Sequence, residues 1–350
     1  MKKILLTTCV FSVALLMAPS LNAQDTTQQE RFHYWRDAAA MLQDQSSLIF
    51  EQAYKVLDLH GPSATPSVER KLALYAIDAQ LHDTRLDSGQ ALYAFMNDVA
   101  HRLQAALKEP IAPGETRIHR FYNQGAIVQS AGATIAFDLV RGGTAERPFF
   151  SDSVMQAIIE HCDVMFVSHE HGDHADQRVA RMFTQQGKNV VVPTGLWEDV
   201  SPLITPLRGE RLHKTTIKLQ HKGSELKVGV FPGHQDQVPN NVYIVTNPEG
   251  KTIVQTGDQA NADDVEKMAA IGESFDVDIL LAHCWMRPME RIVALIDPAL
   301  VVLGHENEMG HTIDHREPYW LTFRRIRHVE KPTVVMAWGE VLRLSAAEKN

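Results

Sequence analysis

The chain has 350 residues, 44% of them apolar and 22% charged, with a formal net charge of −9. The balance suits a soluble globular protein with a sizeable core, and the length suits one large α/β unit plus an accessory segment. The acidic charge offers no net attraction to phosphate backbones, which argues against a nucleic-acid partner.

At the N-terminus, Lys2 and Lys3 precede an apolar stretch from Ile4 to Met17. Pro19-Ser20-Leu21-Asn22-Ala23 follows and ends in a small residue before polar Gln24-Asp25. That order reads as a secretory signal peptide over residues 1–23, cleaved after Ala23, with a periplasmic or secreted mature chain. The apolar stretch is shorter than the roughly 20 residues a spanning helix needs, so no membrane span is expected after cleavage. Cys9 sits too early for a lipoprotein attachment site. Of the later cysteines, Cys162 and Cys284 read as isolated buried thiols, without a Cys-x-x-Cys metal motif.

Residues 24–115 read as a helical accessory segment, with helix from about Gln28 to Glu109. Thr65-Pro66 marks one helix start, with Glu69 in its first turn. Ser88 is the expected cap of the next helix, where Leu92, Phe95, Met96, Val99, Leu103 and Leu107 recur at helical spacing and predict a packed face. Pro110 and Pro113-Gly114 end the pattern.

From 116 to 350 the texture changes to short Val- and Ile-rich runs separated by turns and helices. Strands are predicted at Ala126–Gln129, Thr134–Leu139, Val164–Val167, Val190–Val192, Val228–Phe231, Val242–Thr246, Thr252–Gln255, Ile279–Leu281, Val301–Leu303 and Val334–Trp338. Asn247-Pro248-Glu249-Gly250 reads as a hairpin turn.

The chemistry concentrates at strand ends. His169-Glu170-His171-Gly172-Asp173-His174 follows the run Val164–Val167. His234 comes after Val228–Phe231 through Pro232-Gly233, Asp258 after Thr252–Gln255 through Thr256-Gly257, and His305 after Val301–Leu303 through Gly304. Each of these three later cases is an apolar strand, a glycine-containing turn, then a ligand-type side chain; with the first motif that makes four ligand groups at strand ends, which solvated loops do not ordinarily give. Imidazoles with carboxylates suit a divalent ion, Zn²⁺ foremost and also Mn²⁺ or Fe²⁺. Gly172 is expected to let the backbone turn inside the cluster.

The order His-x-His-x-Asp-His, a later His, an Asp in a Thr-Gly-Asp turn and a final His resembles the metallo-β-lactamase superfamily of hydrolases, over about Thr116 to Leu344. The resemblance implies an α/β, four-layer αββα sandwich with a two-metal site at one edge. It further implies that His169, His171 and His234 bind one ion, that Asp173, His174 and His305 bind the second, and that Asp258 bridges them. Two such cations lower the pKa of a water between them and polarise a scissile carbonyl or phosphoryl group, with Asp173 and Asp258 as proton-handling groups. Glu170 is a weaker candidate base, since alternate residues point away from the ligand side. His283 competes with His305 for the last position. His311, His315 and Arg316 are candidates for contacting an anionic substrate. Trp338-Gly339-Glu340-Val341 resembles the closing strand of the branch containing ascorbate-phosphate lactonases and N-acyl-phosphatidylethanolamine phospholipases.

The expected activity is therefore cleavage of an ester, lactone, amide or phosphodiester in a small-molecule or lipid-like substrate, with a homo-oligomer left open. Two other classes stand beside it: a non-hydrolytic iron-dependent oxidoreductase, and a catalytically silent binding protein on the same fold.

Overall fold

The computed structural model describes residues 37–220 and 222–345; the signal-peptide reading, residues 28–36 of the predicted helical segment and the end of the chain lie outside them. The chain divides into residues 1–42, of which 37–42 are described, and residues 43–350. Among the described residues the first helices are α1 (Ala38–Leu59), α2 (Val68–Leu81) and α3 (Gln90–Lys108). The true cap of α2 is Ser67, whose hydroxyl accepts the Arg70 N–H at 3.1 Å. The helix therefore starts two residues later than Thr65-Pro66 suggested, with Pro66 just ahead of the cap rather than in the first turn. Gly89, not Ser88, caps α3 and contributes no side chain; the free Ala91 N–H is taken by Gln43 Oε1 of α1 at 2.9 Å. The apolar positions predicted for α3 are all buried, each stabilising the packed state by about 1.5–3 kcal/mol.

The rest is β1 (Thr116–Arg120), β2 (Ala126–Ser130), β3 (Thr134–Phe137), α4 (Asp152–Ile159), β4 (Val164–Phe166), α5 (Gln177–Gln185), β5 (Asn189–Val192), β6 (Ile204–Pro206), β7 (His213–Lys218), β8 (Glu225–Gln235), β9 (Val238–Thr246) and β10 (Thr252–Gln255). There follow α6 (Ala269–Ser274), β11 (Ile279–His283), α7 (Met289–Ile296), β12 (Leu300–Gly304), α8 (Tyr319–Arg325), β13 (Thr333–Val334) and β14 (Val341–Leu344). Two seven-stranded mixed sheets result, ordered β14-β1-β2-β3-β4-β5-β6 and β13-β12-β11-β10-β9-β8-β7. Each is antiparallel on one side and parallel on the other. Their inner faces share one apolar core, with Val128, Phe137 and Phe166 from the first sheet against Tyr243, Leu281 and Val302 from the second. Helices pack on the outer faces. This is the expected α/β αββα sandwich.

Strands β1, β6, β7 and β14 escaped the sequence reading because their residues are polar or few: β7 is His-Lys-Thr-Thr-Ile-Lys. At the C-terminal end, only Thr333–Val334 pairs with β12. Residues 335–340 leave the sheet, and β14 then joins β1 of the other sheet. Cys162 and Cys284 are both buried and free. Among the described residues no helix is long and apolar enough to cross a membrane.

Two of the buried polar links between the helices and the sandwich come from α2. Arg70 on α2 grips Glu340 through two bonds of 2.7 Å. Asp78, also on α2, accepts the Asn307 side-chain amide and the Tyr319 N–H, each at 2.9 Å, and the Trp320 N–H at 3.1 Å. It thereby holds both the segment just after His305 and the start of α8.

His119 on β1 gives a pH dependence. Its ring is buried and its Nε2–H donates to Gln129 Oε1 at 3.1 Å. Burial pushes its pKa down to about 4. The unfolded imidazole titrates near 6.5, so the unfolded chain binds the extra proton first. Stability is complete above about pH 6.5 and is lost as pH falls from there toward 4. Between pH 7 and 4.5, the loss in a urea titration should be roughly 2–3 kcal/mol smaller in His119→Gln than in wild type. Equal losses would remove His119 from the acid response.

Candidate metal centre

The site lies where parallel strands end. Asp138 follows β3, Ser168 to His174 follow β4, Asp258 follows β10 and His305 follows β12. Ligands in open α/β sheets collect beyond the carboxyl ends of such strands. The β10 turn needs its glycine: Gly257 has φ of +51°, and a Cβ there would collide with Asn240 and Ser168. Gly172 has no such need, since a Cβ would meet nothing within 4 Å; its expected role in the turn does not hold.

Asp173, His174, Asp258 and His305 converge, with one donor atom from each lying within 4.8 Å of all the others. Asp258 Oδ2 is 3.3 Å from both His174 Nε2 and His305 Nε2. Asp173 Oδ2 is 3.4 Å from the first and 3.3 Å from the second. Asn123 fixes Asp173 through one amide, donating to its backbone carbonyl at 3.0 Å and its carboxylate at 3.1 Å. Asn240 Oδ1 accepts the Asp258 N–H at 3.0 Å, and Gln235 donates to Asp258 Oδ2 at 3.2 Å.

His169 and His171 stand beside this group, with ring centroids 4.7 Å apart and His169 4.2 Å from His174. Buried Asp138 aims the set. Its carboxylate accepts the Ser168 N–H at 2.7 Å, the Ser168 hydroxyl at 2.8 Å, the Gln255 amide at 2.6 Å and His174 Nδ1–H at 3.0 Å. That last bond turns His174 Nε2 toward Asp173 and Asp258, as a carboxylate behind a histidine does.

The other predicted residues are placed differently. His234 lies within β8 rather than in a turn after it, because Pro232 to Gln235 stay paired with β9. Its Nδ1 meets Asp264 at 2.8 Å and its Nε2 faces Arg208 at 3.3 Å, outside the four-residue group. His283 is buried, with Nε2–H donating to Gln259 O at 2.9 Å and its ring 4.2 Å from Trp285. His305, not His283, joins the two aspartates. Exposed His311 stacks 5.9 Å from His305, while His315 is exposed 6.5 Å further on. Arg316 is corrected as a substrate contact: its guanidinium is buried on Asp87, at 2.8 and 2.9 Å, and on Leu81 O. Glu170 is exposed.

The electrostatics follow from this packing. Burial works against charge on His305, but Asp258 and Asp173 outweigh it and hold its pKa up at about 10. His174 is raised in the same way. Burial would also raise Asp258, yet the two imidazoles outweigh it and keep the carboxyl well below its ordinary range. The donors fit a divalent cation. His169 Nε2, His174 Nε2, His305 Nε2 and Asp258 Oδ1 are all buried without a hydrogen-bond partner, an arrangement that costs about 1–3 kcal/mol per atom unless something else satisfies it. Oxygen and imidazole donors together suit Zn²⁺, Mn²⁺ or Fe²⁺.

Sequence reasoning missed Asp138, Asn123, Asp264 and Arg208. Asp138 alone carried a usable signal, since it follows the apolar run of β3 as Asp258 follows β10.

No family model matches the chain, and no curated protein matches it. Among solved structures it is similar to Igni18, a metallo hydrolase from Ignicoccus hospitalis, at 17% identity and a TM-score of 0.49, over 66% of this chain and 99% of that one. An isothiocyanate hydrolase from Delia radicum gut bacteria gives 15% identity and a TM-score of 0.49, over 66% and 100%. CmlA, a diiron β-hydroxylase from Streptomyces venezuelae, gives 14% and 0.48, over 68% of this chain and 55% of that one. Similarities this distant say nothing about chemistry, which rests on the residues themselves.

Proposed function

We propose that the chain is a metal-dependent hydrolase acting on an ester, lactone, amide or phosphodiester of a small-molecule or lipid-like substrate. The observation that carries this reading is the buried meeting of Asp173, His174, Asp258 and His305, with unpartnered donor atoms aimed inward. Two divalent ions are assigned, zinc first, with His169, His171 and His234 as the second set of donors. Such ions supply Lewis-acid polarisation of the scissile group and lower the pKa of a water. The chain's own residues do the rest. Asp258, buried, and Asp173, partly exposed, hold the site's negative charge and are placed to accept a proton. Asp138 orients His174, and Asn123 orients Asp173. His311, beside His305, borders the substrate space. His315 is assigned to the outer rim of that space, and His283 to a structural place behind the donors. Export to the periplasm or beyond, and kinship with the lactonase and phospholipase branch through Trp338-Gly339-Glu340-Val341, belong to the same proposal.

One observation favours a second reading. The tightest donor set is two imidazoles and two carboxylates, and the Nε2 of His234 faces a guanidinium. That set also suits iron, and hence an oxygen-using oxidoreductase. Elemental analysis of purified protein, followed by a panel of esters, lactones and phosphodiesters, separates the two. Two zinc ions per chain with turnover on the panel is the expected result. Iron with oxygen consumption and no hydrolysis would sink the hydrolase reading.

A further inference from the structure

Arg208 stands on the loop between β6 and β7 and reaches His234, whose neighbour Gln235 donates to Asp258 Oδ2 at 3.2 Å. Its Nη2 lies 3.3 Å from His234 Nε2 and 3.4 Å from Gly233 O, and its Nη1 lies 3.3 Å from Asn241 Oδ1. All three acceptors are neutral, and all three distances are long for a charged donor, which ordinarily sits at about 2.7–2.9 Å from its partner. Fully buried Arg120 also donates to backbone carbonyls, but at an ordinary 2.7 Å to Gly125 O, and it has Glu306 at 3.8 Å; four other enclosed arginines are satisfied differently. Arg70, Arg117, Arg141 and Arg316 each hold a carboxylate, at 2.7, 2.6, 2.8 and 2.8 Å. Arg208 is half-buried and makes no ion pair among the described residues. The nearby carboxylate, Asp264, is already engaged by His234 and by Lys267 at 3.2 Å. The His234 side chain beside it is 34% exposed, so this side of the cluster is open to solvent.

We propose that Arg208 is the recognition group for an anionic moiety, a carboxylate or a phosphate, on the molecule that binds at the histidine cluster. A guanidinium is a planar fork that matches two oxygens of either group. Partial burial without a counter-charge leaves that fork under-satisfied, and an arriving anion supplies what the three neutral acceptors do not. Its position beside His234 places the anion at the rim and leaves the Asp173–Asp258 centre to the scissile bond. The inference rests on the hydrolase reading for its effect on turnover; the binding of an anion does not depend on it.

The test uses the metal-loaded full protein as wild type, Arg208→Lys and Arg208→Gln. Calorimetric titration with inorganic phosphate and with acetate gives the binding arm, and the tighter of the two identifies the source of the anion. Arg208→Gln should raise the preferred anion's Kd about tenfold or more, and Arg208→Lys, which keeps the charge without the fork, by less. In the kinetic arm, the ratio of kcat/KM for an anionic nitrophenyl ester to that for nitrophenyl acetate should fall about tenfold in Arg208→Gln, mainly through KM. The same Kd in wild type and Arg208→Gln would overturn the assignment, as would an unchanged selectivity ratio. A changed Kd with no turnover in any protein keeps the anion site and removes the hydrolase reading instead.

Discussion

Asp258→Ala is expected to strip the protein of most of its metal and to lower turnover by at least about 10²–10³-fold, the scale for losing one preorganised electrostatic group. The size of the effect follows from where the carboxylate sits. Asp258 is buried between two imidazoles, equidistant at 3.3 Å from His174 Nε2 and His305 Nε2. Removing it deletes a donor and also leaves two buried imidazoles without the charge that balances a cation beside them. The fold should survive, because the side chain bonds only within the site and the turn is held by its backbone N–H on Asn240. Elemental analysis, turnover and circular dichroism on one preparation decide the matter. Wild-type metal content and wild-type activity in Asp258→Ala would refute the assignment.

The second large effect is on stability. Arg70→Leu should cost about 3–5 kcal/mol, because it leaves the Glu340 carboxylate buried without its cation. Arg70 also donates to Val335 O at 2.8 Å and His60 O at 3.0 Å, and Glu340 accepts the Ala337 N–H at 2.7 Å. One pair therefore fixes the α1–α2 connection, the end of the second sheet and the turn into β14. Burial pushes the Glu340 carboxyl upward, with Arg70 opposing it; without Arg70 that opposition ends. Replacing both partners by leucine should restore part of the loss, since the apolar pair carries no stranded charge. The urea midpoint at constant m-value measures all three variants. A loss below about 1 kcal/mol in Arg70→Leu would show that the pair does not join these elements.

The apolar strands were legible because burial on both faces writes continuous Val and Ile runs, and the same runs located Asp258 and His305 at their ends. The packed face of α3 was legible for the matching reason of helical period. His234 was harder. Pro232-Gly233 looked like a turn, but the hairpin with β9 continues through both residues, and pairing between distant segments has no local signature. Arg316 shows the same limit: its charge is plain in the sequence, while its partner Asp87 lies 229 residues away.

The links from α2 have a consequence for the order in which the chain takes shape. Arg70 and Glu340 are 270 residues apart, and Asp78 and Asn307 are 229 apart. During synthesis, the apolar faces of α1 to α3 are made long before the strands and turns that cover them. The early helices must wait, partly uncovered, while most of the sandwich is still to come. Asp78 meets its partners Asn307, Tyr319 and Trp320 only after the chain has been made well past residue 305.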